Sequence, residues 1–280
     1  MFYLLKCFIQ MKILLNNIDL NEALYATSNI GFVPTMGGLH SGHISLIKRS
    51  LRECNKTLVS IFVNPKQFNN KKDYKKYPRN TKKDLLILKK LKVNFIYLPK
   101  EEEIYRYRNK KKIKLFNKDK ILCAKYRKGH FEGVIDVMER LTKMIKPNKI
   151  FMGEKDFQQL YLIKKYVTKN YNTKIIQCKT VRNKKNLALS SRNLLLKKSE
   201  LNIASKLTTN LILFKKSLFN SKNINQLIAL KKKELNKLFN VKIEYLENRN
   251  KYNLKISNKV KNSKIFIAYY LNNIRLIDNF

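Results

Sequence analysis

The sequence has few of the residues that would indicate a secreted, zinc-binding or membrane-spanning protein. Its four cysteines, Cys7, Cys54, Cys123 and Cys178, are far apart and form no C-x-x-C or Cys/His cluster that could hold zinc. This cysteine usage predicts a reduced chain in the cytoplasm. No apolar stretch approaches the roughly 20 residues that a membrane span needs, so we expect no contact with a membrane.

The amino-terminal stretch 1–10 is apolar but has no basic leading region and no small-residue cleavage site, which argues against a signal peptide. Met11 is therefore a candidate for the true start of the protein. In that case residues 1–10 are a mis-started extension.

Acidic residues are scarce: 19 Asp and Glu stand against 61 Lys and Arg, and the formal net charge is +42. Such a charge is typical of proteins that bind nucleic acids. The lysines, however, are spread over nearly every polar stretch, and no patch interleaves aromatic with basic residues. Lys, Asn and Ile share A/T-rich codons, so drift in an AT-biased genome accounts for the composition. We expect no specific nucleic-acid partner, and a basic RNA-associated protein is kept as the non-enzyme alternative.

Glycine and histidine are also rare, so their positions are informative. All seven glycines lie in or beside three candidate site loops, and none lies beyond Gly153. The first loop, 33–43, follows the apolar run 30–33 and precedes a helical pattern, an order that aims a helix N-terminus at an anion. His40 and His43 add two donors there, and neutral imidazoles can donate to phosphate oxygens as negative charge grows. The alternatives are two surface histidines or a metal pair, and no nearby Asp or Glu completes a metal set.

Two further segments follow candidate strands and carry polar side chains. Gln67, in segment 60–68, has the donor and acceptors that suit a substrate with hydroxyls and a carboxylate, although Asn-Pro turns after strands are common. In segment 153–159, Lys155 could meet a phosphate and Asp156 a ribose hydroxyl or a metal-bound water. The alternative for this segment is a plain helix start with an aspartate in its first turn.

Two basic segments allow two interpretations each. Segment 189–193 offers two serine hydroxyls and the Arg192 guanidinium, which could clamp a triphosphate or could simply cap a helix. Segment 127–134 has a flexible backbone and two cations, so it could close over an anionic substrate or be a basic surface loop.

Short apolar runs alternate with helical periods up to about residue 179, which predicts an α/β fold with a doubly wound, Rossmann-like parallel sheet. Ligands bind such sheets at the carboxyl ends of the strands. Glycine and proline are absent from 180–280, where the pattern predicts a smaller α+β domain with helical structure over 197–239. The predicted strands are Lys12 to Leu15, Ile30 to Val33, Leu58 to Val63, Val93 to Leu98, Ile150 to Met152 and Lys174 to Gln177, followed by Val241 to Leu246, Tyr252 to Ile256 and Lys264 to Tyr270.

In this order the segments resemble those of the pantoate–β-alanine ligase family of HxGH nucleotidyltransferases. The resemblance runs from about Met11 to Asn279 and includes Tyr77-Pro78-Arg79, Gly129-His130-Phe131 and the closing stretch 275–279. The family usually has Leu-Glu-Gly where this chain has Leu122-Cys123-Ala124. Lys128 replaces a proline, Asp136 a threonine, and Lys185-Asn186 an Asp-Gly turn.

The resemblance implies an enzyme that uses ATP and magnesium to join pantoate and β-alanine through pantoyl adenylate. It also implies a cytoplasmic homodimer. Residues 1–179 would bind nucleotide and pantoate, and residues 180–280 would form a lid. Another HxGH nucleotidyltransferase, acting on a different acid or a phosphate ester, is the alternative. We assign no residue as a metal ligand. The resemblance implies His43, His40 and Lys155 as catalytic residues, Gln67 and Gln159 against pantoate, and Gln67 also against β-alanine. The implied ATP-binding residues are Met36, Gly37, Gly38, Leu39, His40, Ser41, Gly42, His43, Gly153, Glu154, Lys155, Asp156, Val181, Leu189, Ser190, Ser191 and Arg192.

Overall fold

The computed structural model describes residues 11–107, 113–219 and 221–280. The stretch 1–10, for which a mis-started extension was considered, lies outside the described residues. The strands are β1 (Lys12–Leu14), β2 (Ile30–Thr35), β3 (Lys56–Ile61), β4 (Phe95–Tyr97), β5 (Lys149–Gly153), β6 (Lys174–Cys178), β7 (Lys242–Asn250), β8 (Ser263–Leu271) and β9 (Ile274–Asn279). The α-helices are α1 (Asn17–Leu24), α2 (Ser41–Glu53), α3 (Lys71–Lys76), α4 (Thr81–Lys90), α5 (Glu101–Tyr105), α6 (Cys123–Tyr126), α7 (His130–Ile145), α8 (Phe157–Tyr166), α9 (Lys198–Ser217) and α10 (Ile224–Phe239).

The first six strands form one parallel sheet in the order β1-β4-β3-β2-β5-β6. β3, β4 and β1 therefore lie on one side of β2, and β5 and β6 lie on the other. β2 and β5 are direct neighbours, with Gly31 opposite Lys149 and Phe32 opposite Ile150. The order of the strands reverses between them, and ligands of doubly wound sheets bind at this kind of switch point. The predicted doubly wound α/β fold is confirmed.

Side chains of the sheet alternate between two cores, one on each face, because successive residues of a strand point in opposite directions. Phe32, Leu58 and Ile150 belong to the core that α7 covers, whereas Val33 and Phe151 belong to the core that α2 and α4 cover. Leu88 of α4 is fully buried, and so are the apolar positions of α7 at spacings of three and four. Both helices therefore bury an apolar face against the sheet.

Gly133 serves packing between protein segments. A Cβ at this position in α7 would collide with the carbonyl oxygen of Lys66. The missing side chain lets α7 lie directly on the turn that carries Gln67. This rare glycine is therefore explained by close packing against the backbone of another segment.

The carboxy-terminal part contains α9, α10 and an antiparallel sheet in the order β7-β8-β9. The predicted strand at Tyr252–Ile256 is wrong: this stretch is a turn, and the third strand is Ile274–Asn279. The Asn250 side chain accepts the Tyr252 N–H at 2.8 Å, and Leu254 has a φ of +57°, so the backbone cannot stay extended. The wrong prediction came from the alternation of apolar and polar residues within 252–256, which is typical of a strand.

This second part of the chain shares a core with the first. Phe266 of β8 packs edge-on against Phe157 of α8, with ring centroids 5.6 Å apart, and Tyr245 of β7 belongs to the same buried cluster. The division of the chain at residues 179 and 180 stays a prediction. In the described ranges, no helix is both long and apolar enough to cross a membrane.

Candidate active site

A cavity of about 1140 Å³ opens where the carboxyl ends of β2, β3 and β5 meet the carboxy-terminal sheet. Five of the predicted site residues, Gly37, Gly38, Leu39, Ser41 and Glu154, do not line it. The structure brings the other predicted residues together around it: Met36, His40, Gly42, His43, Gln67, Gly153, Lys155, Asp156, Gln159, Val181, Leu189, Ser190, Ser191 and Arg192.

The two histidines of the first loop are fixed by the helix that they begin. His40 is the N-cap of α2, and its Nδ1 accepts the N–H of Gly42 at 3.1 Å. His43 makes the reciprocal hydrogen bond, in which its Nδ1 accepts the backbone N–H of His40 at 3.3 Å. Each Nδ1 must therefore be unprotonated, and the one proton of each neutral ring sits on Nε2. Both rings can offer an Nε2–H donor to a group in the cavity.

The surroundings keep both rings neutral. Burial, followed by the positive charge of Lys155, lowers the pKa of His40 to about 4. Burial, followed by the neighbouring His40, lowers the pKa of His43 to about 3. Protonation of either ring would remove the acceptor that the helix N–H needs, so the hydrogen bonds and the burial favour the same form.

The third histidine holds the turn that carries Gln67. His130 Nδ1 donates to the carbonyl oxygen of Gln67 at 2.6 Å, and Arg127 donates to His130 Nε2 at 2.7 Å. Burial, followed by the charge of Arg127, lowers the pKa of His130 to about 3. Arg127 lines the cavity, where burial and then the charge of Arg192 lower its pKa to about 10. Segment 127–134 is therefore a part of the site wall.

His43 and His130, whose surroundings keep them neutral, predict a pH-dependent stability. Each has a folded-state pKa of about 3, against an ordinary value of 6.5. Between these two pH values the unfolded chain binds protons that the folded chain does not bind. Their contribution is complete above pH 6.5 and is lost as the pH falls. Lowering the pH from 7 to 5 should reduce the free energy of unfolding by about 2 kcal/mol for each of His43 and His130.

Denaturant unfolding at pH 7 and pH 5 measures this loss. A His43→Asn variant is the matched control, because it has one titrating group fewer and should lose about 2 kcal/mol less than the wild type over this range. An equal loss in both proteins would contradict the neutral state of His43.

A buried carboxylate that the sequence did not reveal holds the glycine loop. Asp84 of α4 is 2% exposed and accepts the N–H of Gly38 at 2.9 Å and that of Leu39 at 2.8 Å. The positive φ angles of Gly37 and Gly38, 78° and 62°, turn these N–H groups toward it. Gly37 N–H also has a partner, the Thr35 hydroxyl, at 3.2 Å.

The loop therefore differs from the expected cradle of free N–H groups. The N–H groups of Gly37, Gly38 and Leu39 are bound to Thr35 and Asp84. They therefore stabilise the loop and are not free to bind an anion. The imidazoles face the cavity in their place. This role of Asp84 could not be predicted from the sequence, since an aspartate in the first turn of a helix is typical of any helix start.

The side chain of Gln67 has a defined orientation. Its Nε2 donates to the Met36 sulfur at 2.8 Å, and its Oε1 accepts from Asn64 Nδ2 at 3.3 Å. Asn64 is oriented in turn by the Tyr105 hydroxyl, which donates to Asn64 Oδ1 at 2.8 Å. One proton of the Gln67 amide and one lone pair of its oxygen remain for a ligand.

On the opposite side, segment 181–192 approaches the glycine loop. The backbone of Val181 and Leu189 closes a hairpin, with a hydrogen bond of 3.0 Å from Leu189 N–H to the Val181 carbonyl. The Ser191 hydroxyl donates to the Gly38 carbonyl at 3.0 Å. Arg192 forms an ion pair of 3.0 Å with Asp73 of α3. Ser190, Ser191 and Arg192 of this segment line the same cavity as the two histidines.

Cations and neutral imidazole donors at the switch point of a doubly wound sheet define a nucleotide-dependent α/β enzyme. The family model of pantoate–β-alanine ligase matches residues 11–280. The chain is 42% identical over 268 residues to the pantothenate synthetase of Flavobacterium psychrophilum, covering 93% of this chain and 94% of that protein. This protein belongs to the pantoate–β-alanine ligase family.

Solved structures agree. The chain is similar to the Francisella tularensis pantoate–β-alanine ligase complexed with β-γ ATP and β-alanine, with a TM-score of 0.83, 38% identity and 97% coverage of both chains. Its TM-score with the pantothenate synthetase of Thermus thermophilus is 0.90, at 30% identity, with 96% of this chain and 99% of that chain covered.

Proposed function

We propose that this enzyme uses ATP to join (R)-pantoate and β-alanine into pantothenate, releasing AMP and pyrophosphate through a pantoyl-adenylate intermediate. One observation carries the chemistry: two imidazoles locked as Nε2–H donors face the cavity beside Lys155, at the switch point of the sheet. Together they supply donors and positive charge where a triphosphate would react. The ATP and β-alanine in the Francisella tularensis complex support this assignment.

In the first step a pantoate carboxylate oxygen attacks the α-phosphorus of ATP. A carboxylate-oxygen-to-phosphorus bond forms, and the bond from the α-phosphorus to the bridging oxygen breaks, so pyrophosphate leaves with the electron pair. Negative charge grows on phosphate oxygens, and the Nε2–H groups of His40 and His43 and the Lys155 ammonium stabilise it. This role needs neutral donors, which matches the lowered pKa values of about 4 and about 3 for His40 and His43.

In the second step the β-alanine amine attacks the acyl carbon of the adenylate. The new carbon–nitrogen bond forms, the carbon–oxygen bond to AMP breaks so that AMP leaves with the electron pair, and the amine nitrogen releases one proton to water. Gln67 and Gln159 face the cavity as holders of pantoate, and Gln67 also faces β-alanine. The relay from Tyr105 through Asn64 fixes which end of the Gln67 amide each substrate meets.

Magnesium suits this site as a partner of the ATP phosphates. Mg²⁺ is usually held by one or two carboxylates together with substrate phosphates, and a cage of protein ligands is not needed. Within the described residues, no group of three or more His, Cys, Asp or Glu could form such a cage. Asp156 lines the cavity with 49% of its side chain exposed, and Lys155 is its ion-pair partner at 3.5 Å. Asp156 would hold the ion, which neutralises phosphate charge when bound.

The nucleotide would extend from the histidines toward segment 181–192. Val181 would contact the adenine, and the Ser190 hydroxyl and Arg192 would contact the phosphates. The Ser191 hydroxyl would join them by giving up its hydrogen bond to the Gly38 carbonyl. Arg192 can exchange its surface partner Asp73, which is 38% exposed, for a phosphate at modest cost, since exposed ion pairs are weak. We further propose that residues 180–280 act as a lid over this cavity.

Product analysis tests the proposal. With pantoate, β-alanine, ATP and magnesium, the purified protein should form pantothenate, AMP and pyrophosphate in equal amounts, and omission of either acid should stop AMP release into solution on repeated turnover. Formation of ADP and phosphate would point to an acyl phosphate and would overturn the adenylate route.

We also propose a homodimer in the cytoplasm. The homodimer is what the resemblance to the family implies. The described cysteines, Cys54, Cys123 and Cys178, are free thiols, as a reducing compartment favours. Sedimentation of the purified protein tests the dimer.

A further inference from the structure

Asn279, the last residue of β9, reaches the turn that carries Lys155. Its side chain is buried, with 3% of the residue exposed. Its Nδ2 donates to the carbonyl oxygen of Glu154 at 2.8 Å and to that of Lys155 at 3.1 Å. Its Oδ1 accepts from the Lys264 ammonium at 3.0 Å, so the donor end of the amide must face the turn.

The turn itself has few constraints from its own sequence. It is a 3₁₀ segment, Glu154–Asp156, between β5 and α8, and neither it nor α8 has a side-chain cap at its start. Two consecutive carbonyl oxygens of this turn are bound by one amide from a residue more than 120 positions later in the chain. Asn279 therefore holds this turn by donating to its carbonyl oxygens from a distant part of the chain.

Asn279 is in turn held rigidly. Its backbone N–H donates to Asp278 Oδ1 at 2.8 Å, and Asp278 pairs with both terminal nitrogens of Arg182, at 2.6 and 2.9 Å. Arg182 also donates to the Asn279 carbonyl at 3.1 Å. Arg182 lies in the same hairpin as Val181, so the two closing residues of β9 connect both sides of the nucleotide cavity.

We propose that Asn279 is a positioning residue for Lys155, acting through the backbone of the turn. This inference rests on the proposed function, in which the Lys155 ammonium stabilises charge on the ATP phosphates. A displacement of about 1 Å in a group that acts on the transition state can cost roughly 10²-fold in rate. The carboxy-terminal strand thus fixes the geometry of the phosphate-binding turn.

The Asn279→Asp variant tests this role because it keeps the size and the acceptor and removes both donors. We expect kcat for pantoate-dependent ATP–pyrophosphate exchange to fall by about 10- to 100-fold. The KM for pantoate should change less than kcat, because Gln67, one of the two proposed pantoate holders, lies on a separate turn. Asn279→Ala removes the same donors without a new charge and should behave alike, which covers the case in which the aspartate variant fails to fold.

Asn248 offers a matched control in the same sheet. It lies on β7, is 4% exposed, and its Nδ2 donates to the carbonyl oxygens of Ser257 and Lys259 at 2.8 and 3.0 Å. Asn248→Asp therefore breaks two hydrogen bonds of the same kind away from the cavity. It should lower the unfolding temperature as much as Asn279→Asp does and leave the exchange rate close to that of the wild type.

A double-mutant cycle identifies the residue through which Asn279 acts. In a Lys155→Ala background, Asn279→Ala should cost little further exchange activity, because the group that it positions is already absent. An equal fold-loss in both backgrounds would overturn the inference, and so would normal exchange by Asn279→Asp. A wild-type protein without any pantoate-dependent exchange would instead contradict the proposed function itself.

Discussion

The His43→Ala variant is expected to lose roughly 10²- to 10³-fold in the rate of adenylate formation, the cost typical of removing one preorganised donor from a developing oxyanion. Burial keeps His43 neutral, with a pKa of about 3, and its Nδ1 is bound to the His40 N–H at 3.3 Å. Only Nε2–H remains to act on substrate. Because this hydrogen bond strengthens as charge grows, kcat and kcat/KM for ATP should fall together.

Two conservative variants separate this role from a structural one. His43→Gln can place an amide N–H near the Nε2 position and should retain part of the activity. His43→Asn can accept the helix N–H but cannot reach the phosphates, so it should be nearly as slow as His43→Ala. Near-normal adenylation by His43→Ala, measured as single-turnover formation of pantoyl adenylate, would contradict the assignment of His43.

The Lys155→Met variant is expected to show the second large effect, again about 10²- to 10³-fold in adenylation. The ammonium lies beside His40, whose pKa it lowers, and its only ion-pair partner in the described part of the chain is Asp156, at 3.5 Å. A buried site gives such a charge more weight than water would. Lys155→Arg keeps the charge but changes the geometry, and it should recover only part of the loss.

Lys164→Met is the matched control for the change in net charge. Lys164 lies on α8, the helix that follows the Lys155 turn, and its side chain is exposed to solvent. Exchange kinetics at several salt concentrations should leave Lys164→Met close to the wild type. Equal losses in the two variants would mean that the overall positive charge, and not the position of Lys155, attracts ATP.

The parallel sheet and its site loops could be predicted because local pattern determines them. Apolar runs predicted the strands around Phe32, Leu58 and Ile150, and the rare glycines and histidines marked the loops that follow. The closing stretch 275–279 was recognised as a motif, yet it was not predicted to be the third strand of the small sheet. Turn formation by Asn250 overrode the apolar alternation of 252–256, which had predicted a strand there.

Long-range hydrogen bonds could not be predicted in the same way. Asp84 binds Gly38 across 46 positions, and Asn279 binds Lys155 across 124. Both side chains act through the backbone of another segment, so neither leaves a pattern in its own surroundings. The tautomers of His40 and His43 likewise depend on backbone N–H groups that become visible only once the helix is built.

The measurement that tests the central claim most directly is exchange of labelled pyrophosphate into ATP, with magnesium and pantoate present and β-alanine absent. Reversible formation of pantoyl adenylate predicts exchange that requires pantoate and is not supported by other small acids. No exchange by folded protein with pantoate, or equal exchange without it, would contradict the account.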